Sequence, residues 1–425
     1  MSKKRSRVVI LGGGFAGLMT AHRLARHRFA KQRCDVTVID ASPAHLYTPW
    51  LYEVATAGLT SLNEATRKSV EASVNLEYSK LPDFKGVRFI TKKITAIDPV
   101  MRHVRLAGNR LVPYDILLIA LGSEPNYFGI PGLPDNALTL KTFAEAQKIR
   151  QSVVKLVKQA TTHNPKQIVV AGGGPNGIEF VSELANSLRT LERKGRIPRG
   201  AINITLADAA SETNSILPEP LRSKANRRLR QLGIKLVPGV RVSDVGVDSV
   251  RAFTSSGRAQ DAVSFPADLV IWSGGVKVRT LISELPFVKD AKGRIAVERT
   301  FAVPGYPGIF AAGDCAAQKN PWTQQPDPQS AQVAHRQART VADNIVRLLR
   351  GKPLAAMNSP RRWHFVCAMG GRKAAGVLFG VRIWGYHAYL IRRIIDLRYL
   401  VSLLPWLPAV RICWRALAVF GQNDK

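Results

Sequence analysis

The amino-acid sequence predicts an α/β fold built on parallel sheets. Two observations carry that prediction: a strand, a glycine-rich turn, a helix and a second strand follow one another twice, and each repeat is succeeded by a short apolar strand ending on glycine. A third observation bounds it. A chain of 425 residues with 46% hydrophobic side chains has room for two to three cored domains and is neither disordered nor fibrous.

The first unit opens with Val8-Val9-Ile10-Leu11, turns through Gly12-Gly13-Gly14-Phe15-Ala16-Gly17, runs as a helix to about Arg28 and closes with Val36-Thr37-Val38-Ile39-Asp40. The second repeats this grammar: Gln167-Ile168-Val169-Val170-Ala171, then Gly172-Gly173-Gly174-Pro175-Asn176-Gly177, a helix from Ile178 towards Arg189, and Ile204-Thr205-Leu206-Ala207-Asp208. In such a turn the first glycine bends the chain, the second lets the backbone approach a pyrophosphate and the third lets the helix pack on its strand. The helix N-terminus then faces the phosphates. Asp40 and Asp208 end the second strands, where a carboxylate accepts from ribose hydroxyls and repels a 2′-phosphate. The longer segment between Gly177 and Asp208 holds Arg193, Lys194, Arg196 and Arg199, which keeps a 2′-phosphorylated dinucleotide open as an alternative.

Asp115-Ile116-Leu117-Leu118-Ile119-Ala120-Leu121-Gly122 reads as a buried parallel strand, followed by a Pro/Gly-rich turn region through Gly132-Leu133-Pro134, a crossing between domains. Asp268-Leu269-Val270-Ile271-Trp272-Ser273-Gly274-Gly275 repeats the pattern after the second unit. A last strand, Ile309-Phe310-Ala311-Ala312-Gly313-Asp314, precedes a helix from about Ser330 to Leu349. Two nucleotide sites in tandem imply electron transfer between two nucleotides, for which a flavin beside a nicotinamide is the usual pairing.

Cys34, Cys315, Cys367 and Cys413 are scattered, so no disulfide scaffold, metal site or closely spaced redox dithiol is expected. Lys and Arg number 62 against 30 Asp and Glu, a net charge of +32, which implies a polyanionic neighbour: nucleic acid or an anionic membrane. The basic N-terminus runs straight into a strand, leaving no room for a signal-peptide core, and arginines interrupt every long apolar run. A cytoplasmic protein that does not span a membrane is expected.

The order Gly12 to Gly17, Asp40, Leu121-Gly122-Ser123, Gly172 to Gly177, Ser273-Gly274-Gly275 and Gly313-Asp314 resembles the FAD/NAD(P) pyridine-nucleotide disulfide oxidoreductase superfamily. Within it the chain is similar, over nearly its whole length, to the type II NADH:quinone dehydrogenases. Residues 48–58 (TPWLYEVATAG), residues 123–132 (SEPNYFGIPG) and Ala331-Gln332-Val333-Ala334-His335-Arg336-Gln337 carry this narrower likeness. Ala120-Leu121-Gly122 in place of Ala-Thr-Gly, and Trp50 where leucine is common, depart from it.

The resemblance implies two Rossmann-like dinucleotide-binding domains, one inserted in the other, plus a C-terminal amphipathic-helix membrane-anchoring region. The expected boundaries are 1–128 with 301–355 for non-covalent FAD, 129–300 for NADH as substrate, and 356–425 for the membrane. It implies Gly12, Gly14, Phe15, Ala16, Gly17, Asp40, Asp314, Ala331 and Gln332 at the FAD, with Lys373 near the flavin ring or else on a surface turn. Gly172, Gly174, Gly177, Asp208 and Gly274 are expected at NADH, and Gln332 with His335 at the quinone. Glu179 is expected beside the nicotinamide as the catalytic residue, the alternative being a first-turn acid that complements its helix dipole. No metal is expected.

In residues 390–401, Leu390, Ile391, Ile394, Ile395, Leu397 and Val401 fall on one helical side and Arg392, Arg393 and Asp396 opposite, with Arg398 intruding on the apolar side. A second helix sets Val410, Cys413, Trp414, Leu417 and Phe420 against Arg411 and Arg415. Both read as interfacial helices held by apolar burial and by attraction of their arginines to anionic lipid. The expected partners are a quinone, an anionic membrane surface and a second copy in a homodimer, with no nucleic acid, at the cytoplasmic face of the membrane. A sulfide:quinone oxidoreductase, a cytosolic flavoprotein reductase and a basic, nucleic-acid-binding flavoprotein are the rival readings.

Overall fold

In the computed structural model the described residues are 5–59, 69, 71–254 and 262–420. Residues 1–4, on which the no-leader expectation partly falls, and the tail 421–425 lie outside the described residues.

One five-stranded sheet runs in the order Ile309–Ala311, Ile116–Ile119, Ser6–Leu11, Cys34–Asp40, Val87–Thr91, with every neighbouring pair parallel. Side chains alternate along a strand, so a sheet covered on both faces needs apolar residues at every position. Ser6–Leu11 meets this need: Val8 and Ile10 pack beneath Leu18, Ala21 and Leu24 of the Phe15–Arg26 helix, while Val9 and Leu11 join Val104, Leu106 and Tyr114. A second parallel sheet runs Ala137–Thr139, Leu269–Trp272, Lys166–Ala171, Ile202–Asp208, Ile234–Pro238. All its strands lie between the last two of the first sheet in sequence, so one unit is inserted in the other. The outgoing and returning segments, Ser123–Pro125 and Val276–Val278, pair antiparallel at the junction.

After the return, Val278, Ile282, Leu285, Phe287 and Ile295 pack with Val9, Leu11 and Ile119, on the first sheet's outer face. The chain then forms the Ala331–Leu349 helix, which lies along Phe15–Arg26, and a three-stranded antiparallel sheet of Phe365–Ala368, Ala374–Leu378 and Val381–Trp384.

The two final helices are Gly385–Val401 and Trp406–Phe420. Among the described residues no helix is long and apolar enough to cross a membrane. The first of the two is packed with its charges inward: Arg392 and Asp396 are buried, whereas Leu390, Ile394, Ile395 and Val401 are exposed, Ile394 by 64%. This corrects the expectation that Arg392 and Arg393 reach for anionic lipid. A helical wheel separates two faces but does not say which faces solvent, and here buried carboxylates elsewhere in the chain claim the arginines. The second helix extends the exposed apolar face with Trp406, Leu407, Val410 and Trp414, flanked by exposed Arg411 and Arg415.

Candidate active site

Both glycine-rich turns border one continuous cavity of about 2680 Å³. Gly12 and Gly172 sit at φ +97° and +113°, and a Cβ on either would strike the backbone of Ala120 or Ser273 at 2.4 Å. Gly17 and Gly177 abut the carbonyls of Gly12 and Gly172, where a Cβ would lie at 1.8 and 2.0 Å, so each helix packs hard on its own turn. Gly14 and Gly174, by contrast, would meet nothing within 4 Å, and both line the cavity. The open cradle beside each helix N-terminus fits a pyrophosphate.

Asp40 closes the first turn: its Oδ2 accepts from the Gly13 N–H at 2.6 Å and its Oδ1 from Ser42 N–H at 2.8 Å, and it borders the cavity. Asp208 lies against Gly173 in the second unit. Arg196 and Arg199 follow the Pro175–Arg193 helix, whose 19 residues carry them about 28 Å from the glycine turn. They stand at the opposite end of strand Ile202–Asp208 from Asp208, out of reach of a ribose 2′ position there.

Asp314 faces the cavity from the Gly313–Cys315 turn and caps no helix. Its Oδ2 accepts from Ser123 Oγ at 2.7 Å, and Lys141 Nζ donates to the same Ser123 oxygen at 2.9 Å. Burial lowers the Lys141 pKa, with the charge of Asp314 opposing it. The sequence reading missed Lys141, whose place follows from the turn after strand Ala137–Thr139 and from no motif. Ala331 and Gln332 border the cavity where their helix begins, capped by Ser330. The positive end of that helix therefore points at whatever fills the cavity.

The Pro175–Arg193 helix begins before the expected Ile178, which puts Glu179 in its second turn, where a dipole-complementing acid would have little effect. Glu179 is instead buried at the cavity wall, its Oε1 2.5 Å from Arg392 Nη1 and accepting from the Ala368 N–H at 3.1 Å. Burial raises its pKa, and Arg392 works against that rise. Arg392 also donates to the carbonyls of Val366 at 2.8 Å and Pro49 at 3.3 Å. Its neighbour Arg393 pairs with buried Glu53, and Asp396 accepts from Tyr47 Oη at 2.7 Å and Trp50 Nε1 at 2.9 Å. Trp50, a departure from the family pattern, thus has its indole N–H satisfied by the C-terminal helix. One face of Gly385–Val401 ties together the segment at 47–53 and Glu179.

Three residues beyond Asp396, Tyr399 shares a hydrogen bond of 2.8 Å with Nε2 of His45, whose Nδ1 donates to the Gly13 carbonyl at 3.0 Å. That tautomer makes Tyr399 the donor, and burial pushes the His45 pKa down to about 4. His335 stands edge-on to Tyr399 at the cavity wall. Burial, then the charges of Arg339, Arg398 and Arg23, bring its pKa to about 4, so it is a neutral hydrogen-bonding group at neutral pH.

The cavity therefore collects Gly12, Gly14, Phe15, Ala16, Asp40, Asp314, Ala331, Gln332, His335, Gly174 and Glu179. Gly17, Gly172, Gly177, Asp208 and Gly274 are not among its lining residues, Asp208 lying beside Gly173 of the second turn; a Cβ on Gly274 would enter the Trp272 ring at 2.3 Å. Lys373 is not brought to it. The turn before Lys373 is drawn onto the Pro175–Arg193 helix, with Gly371 N–H donating to Glu183 at 2.9 Å, and Lys373 is left exposed. The four cysteines are free and none lines the cavity; burial holds Cys315 up at about 11. Among the described residues no cluster of metal-ligating side chains exists.

The family model for pyridine nucleotide-disulphide oxidoreductases matches residues 6–338. The chain is 28% identical to the type II NADH:quinone oxidoreductases of Staphylococcus saprophyticus, over 95% of this chain and 97% of that one, and of Staphylococcus aureus, over 94% and 96%. Among solved structures it resembles NDH2 from Plasmodium falciparum in complex with NADH, at a TM-score of 0.79 and 16% identity over 99% and 98% of the two chains. It also resembles the sulfide:quinone oxidoreductase of Aquifex aeolicus, at 0.76 and 20% identity over 93% and 90%. With a family model spanning both glycine turns and the strand that carries Asp314, the chain belongs to the pyridine nucleotide-disulphide oxidoreductase family.

Proposed function

We propose that the chain is a type II NADH:quinone oxidoreductase, oxidising NADH through bound FAD and passing both electrons to a membrane quinone. The observation that carries this reading is the single cavity reached by both glycine cradles, by the Ala331–Leu349 helix N-terminus and by the C-terminal helix. Gly12, Gly14, Phe15, Ala16, Asp40, Asp314, Ala331 and Gln332 would hold the flavin, which accepts a hydride and returns two electrons. Gly174 admits the NADH pyrophosphate, Asp208 takes its ribose, and Glu179 stands where the nicotinamide meets the flavin. Positioning accounts for most of a hydride transfer. What the chain adds is a fixed carboxylate at Glu179, a helix dipole at Ala331 and neutral donors at His335 and Gln332 for the quinone oxygens. Asp208, with Arg196 and Arg199 far from it, supports NADH over its phosphorylated form.

The exposed apolar face of the last two helices supports docking at a membrane surface without crossing it, on the cytoplasmic side, with Arg392 and Arg393 turned inward and Arg398, Arg411 and Arg415 exposed. For the domains, the reading keeps the sequence-based division as a proposal with one shift. Residues 278–297 go with 1–128 and 301–355, because their apolar side chains pack on that sheet. A homodimer belongs to the same reading. A sulfide-oxidising reading finds no support, since no cysteine lines the cavity. Anaerobic stopped-flow tests the proposal: NADH bleaches the flavin, and a ubiquinone or menaquinone analogue restores its colour. Bleaching with no reoxidation by any quinone would overturn it.

A further inference from the structure

Arg398 intrudes on the outward apolar side of its helix and, like Arg339, borders the main cavity without belonging to the flavin or nicotinamide residues assigned above. It lines a second cleft, of about 460 Å³, between the Phe15–Arg26, Ala331–Leu349 and Gly385–Val401 helices. Arg339 and Arg23 line the same cleft. Arg23 is neutralised by Asp343 at 3.2 Å, whereas among the described residues Arg339 and Arg398 have no acidic partner. All three are near enough to His335 for their charges to act on it. Arg339 and Arg398 are solvent-exposed, and two guanidiniums facing one concave site offer an anion several charge-assisted donors at once. The rest of the wall mixes apolar Met19, Leu24 and Val346 with His22, Arg26, His27, His335 and Asp343. Ser402, at the end of the helix, also lines the cleft, and Ile394, Ile395 and Val401 of the same helix turns are exposed beside it.

A predominantly cationic cleft opening beside an exposed apolar face has the polarity of a phospholipid. We propose that this cleft binds the headgroup phosphate of an anionic phospholipid, Arg339 and Arg398 taking its oxygens. The inference rests on the membrane-docking reading above and adds a defined lipid site to it.

The test uses the flavin-loaded full chain and co-sedimentation with two sets of phosphatidylcholine vesicles of equal surface charge. In one the charge comes from phosphatidylglycerol, in the other from a carboxylate lipid. The wild type is expected to prefer phosphatidylglycerol by about tenfold, the scale of a hydrogen bond to a charged group. R339Q/R398Q should bind both sets equally. R411Q/R415Q, which removes two exposed arginines from the second helix, should weaken binding to both sets and keep the preference. A preference that is absent in the wild type, or that survives in R339Q/R398Q, overturns the cleft assignment. If inorganic phosphate at matched ionic strength abolishes the preference, the ligand is the free ion and the lipid assignment falls. Failure of the wild type to bind either vesicle is a different result, one that removes the membrane reading itself.

Discussion

Replacing Arg392 by leucine removes the guanidinium that neutralises Glu179 while keeping an apolar stem of similar reach. Both groups are almost fully buried, and the pair stands at 2.5 Å. With Arg392 gone, Glu179 keeps only the Ala368 N–H and the weak Cys367 thiol as polar partners, and the carbonyls of Val366 and Pro49 lose a donor. Breaking one side of a buried pair costs about 3–5 kcal/mol, a large part of a typical folding stability of about 5–15 kcal/mol. The loss has a pH signature. Burial already raises the Glu179 pKa above its ordinary 4.5, and removing Arg392 raises it further. A carboxyl raised in the folded state leaves stability intact below its unfolded value and withdraws it as pH climbs through the folded one. R392L should therefore be closest to wild type in mildly acidic buffer and worst in mildly alkaline buffer. In an E179Q background, where no charge needs compensation, the same substitution should cost about half as much. Denaturant midpoints of the flavin-loaded protein, taken for all four members of the cycle at both pH values, measure this. A cost below about 1 kcal/mol, or one that E179Q does not relieve, would refute the claim that Arg392 serves Glu179.

Gly14→Val should fold, since its side chain enters open space, yet lose most bound flavin. Gly17→Val, driven into the Gly12 carbonyl, should fail to fold; circular dichroism and flavin absorbance separate the two. Because His45 and His335 titrate at about 4 when folded against 6.5 as the ordinary value, their contribution is complete above 6.5 and is lost as pH falls towards 4. H335Q should flatten part of that acid decline in thermal melts and change the KM for quinone more than that for NADH. L390E/W414E should weaken vesicle binding at least tenfold while leaving anaerobic flavin reduction by NADH unchanged, because both side chains point outward and away from the cavity, Trp414 by 73%.

How much of this was legible beforehand follows from how local each constraint is. The glycine turns were readable because tight turn, open cradle and helix packing are all set within six residues, and the structure separates those roles at Gly12, Gly14 and Gly17. Asp314 was readable as a carboxylate ending a strand, whereas its partner Lys141 was not, since only the crossing of the two sheets brings them together. The orientation of the Gly385–Val401 helix lies at the far end of that scale. Arg392, Arg393 and Asp396 look like a wetted face until Glu179, Glu53 and Trp50 are placed against them, and those residues come from two other parts of the chain. One sequence feature pointed that way: Glu53 sits in the apolar run Leu51-Tyr52-Glu53-Val54-Ala55, and a buried acid calls for a cation. The inversion also changes what a truncation can test. Deleting residues 385–425 to probe membrane binding would leave Glu179 and Glu53 buried without counter-ions, so lost activity would report a broken active site as readily as a lost anchor. Substitutions confined to the outward face, at Leu390 and Trp414, separate the two effects because neither side chain lines the cavity.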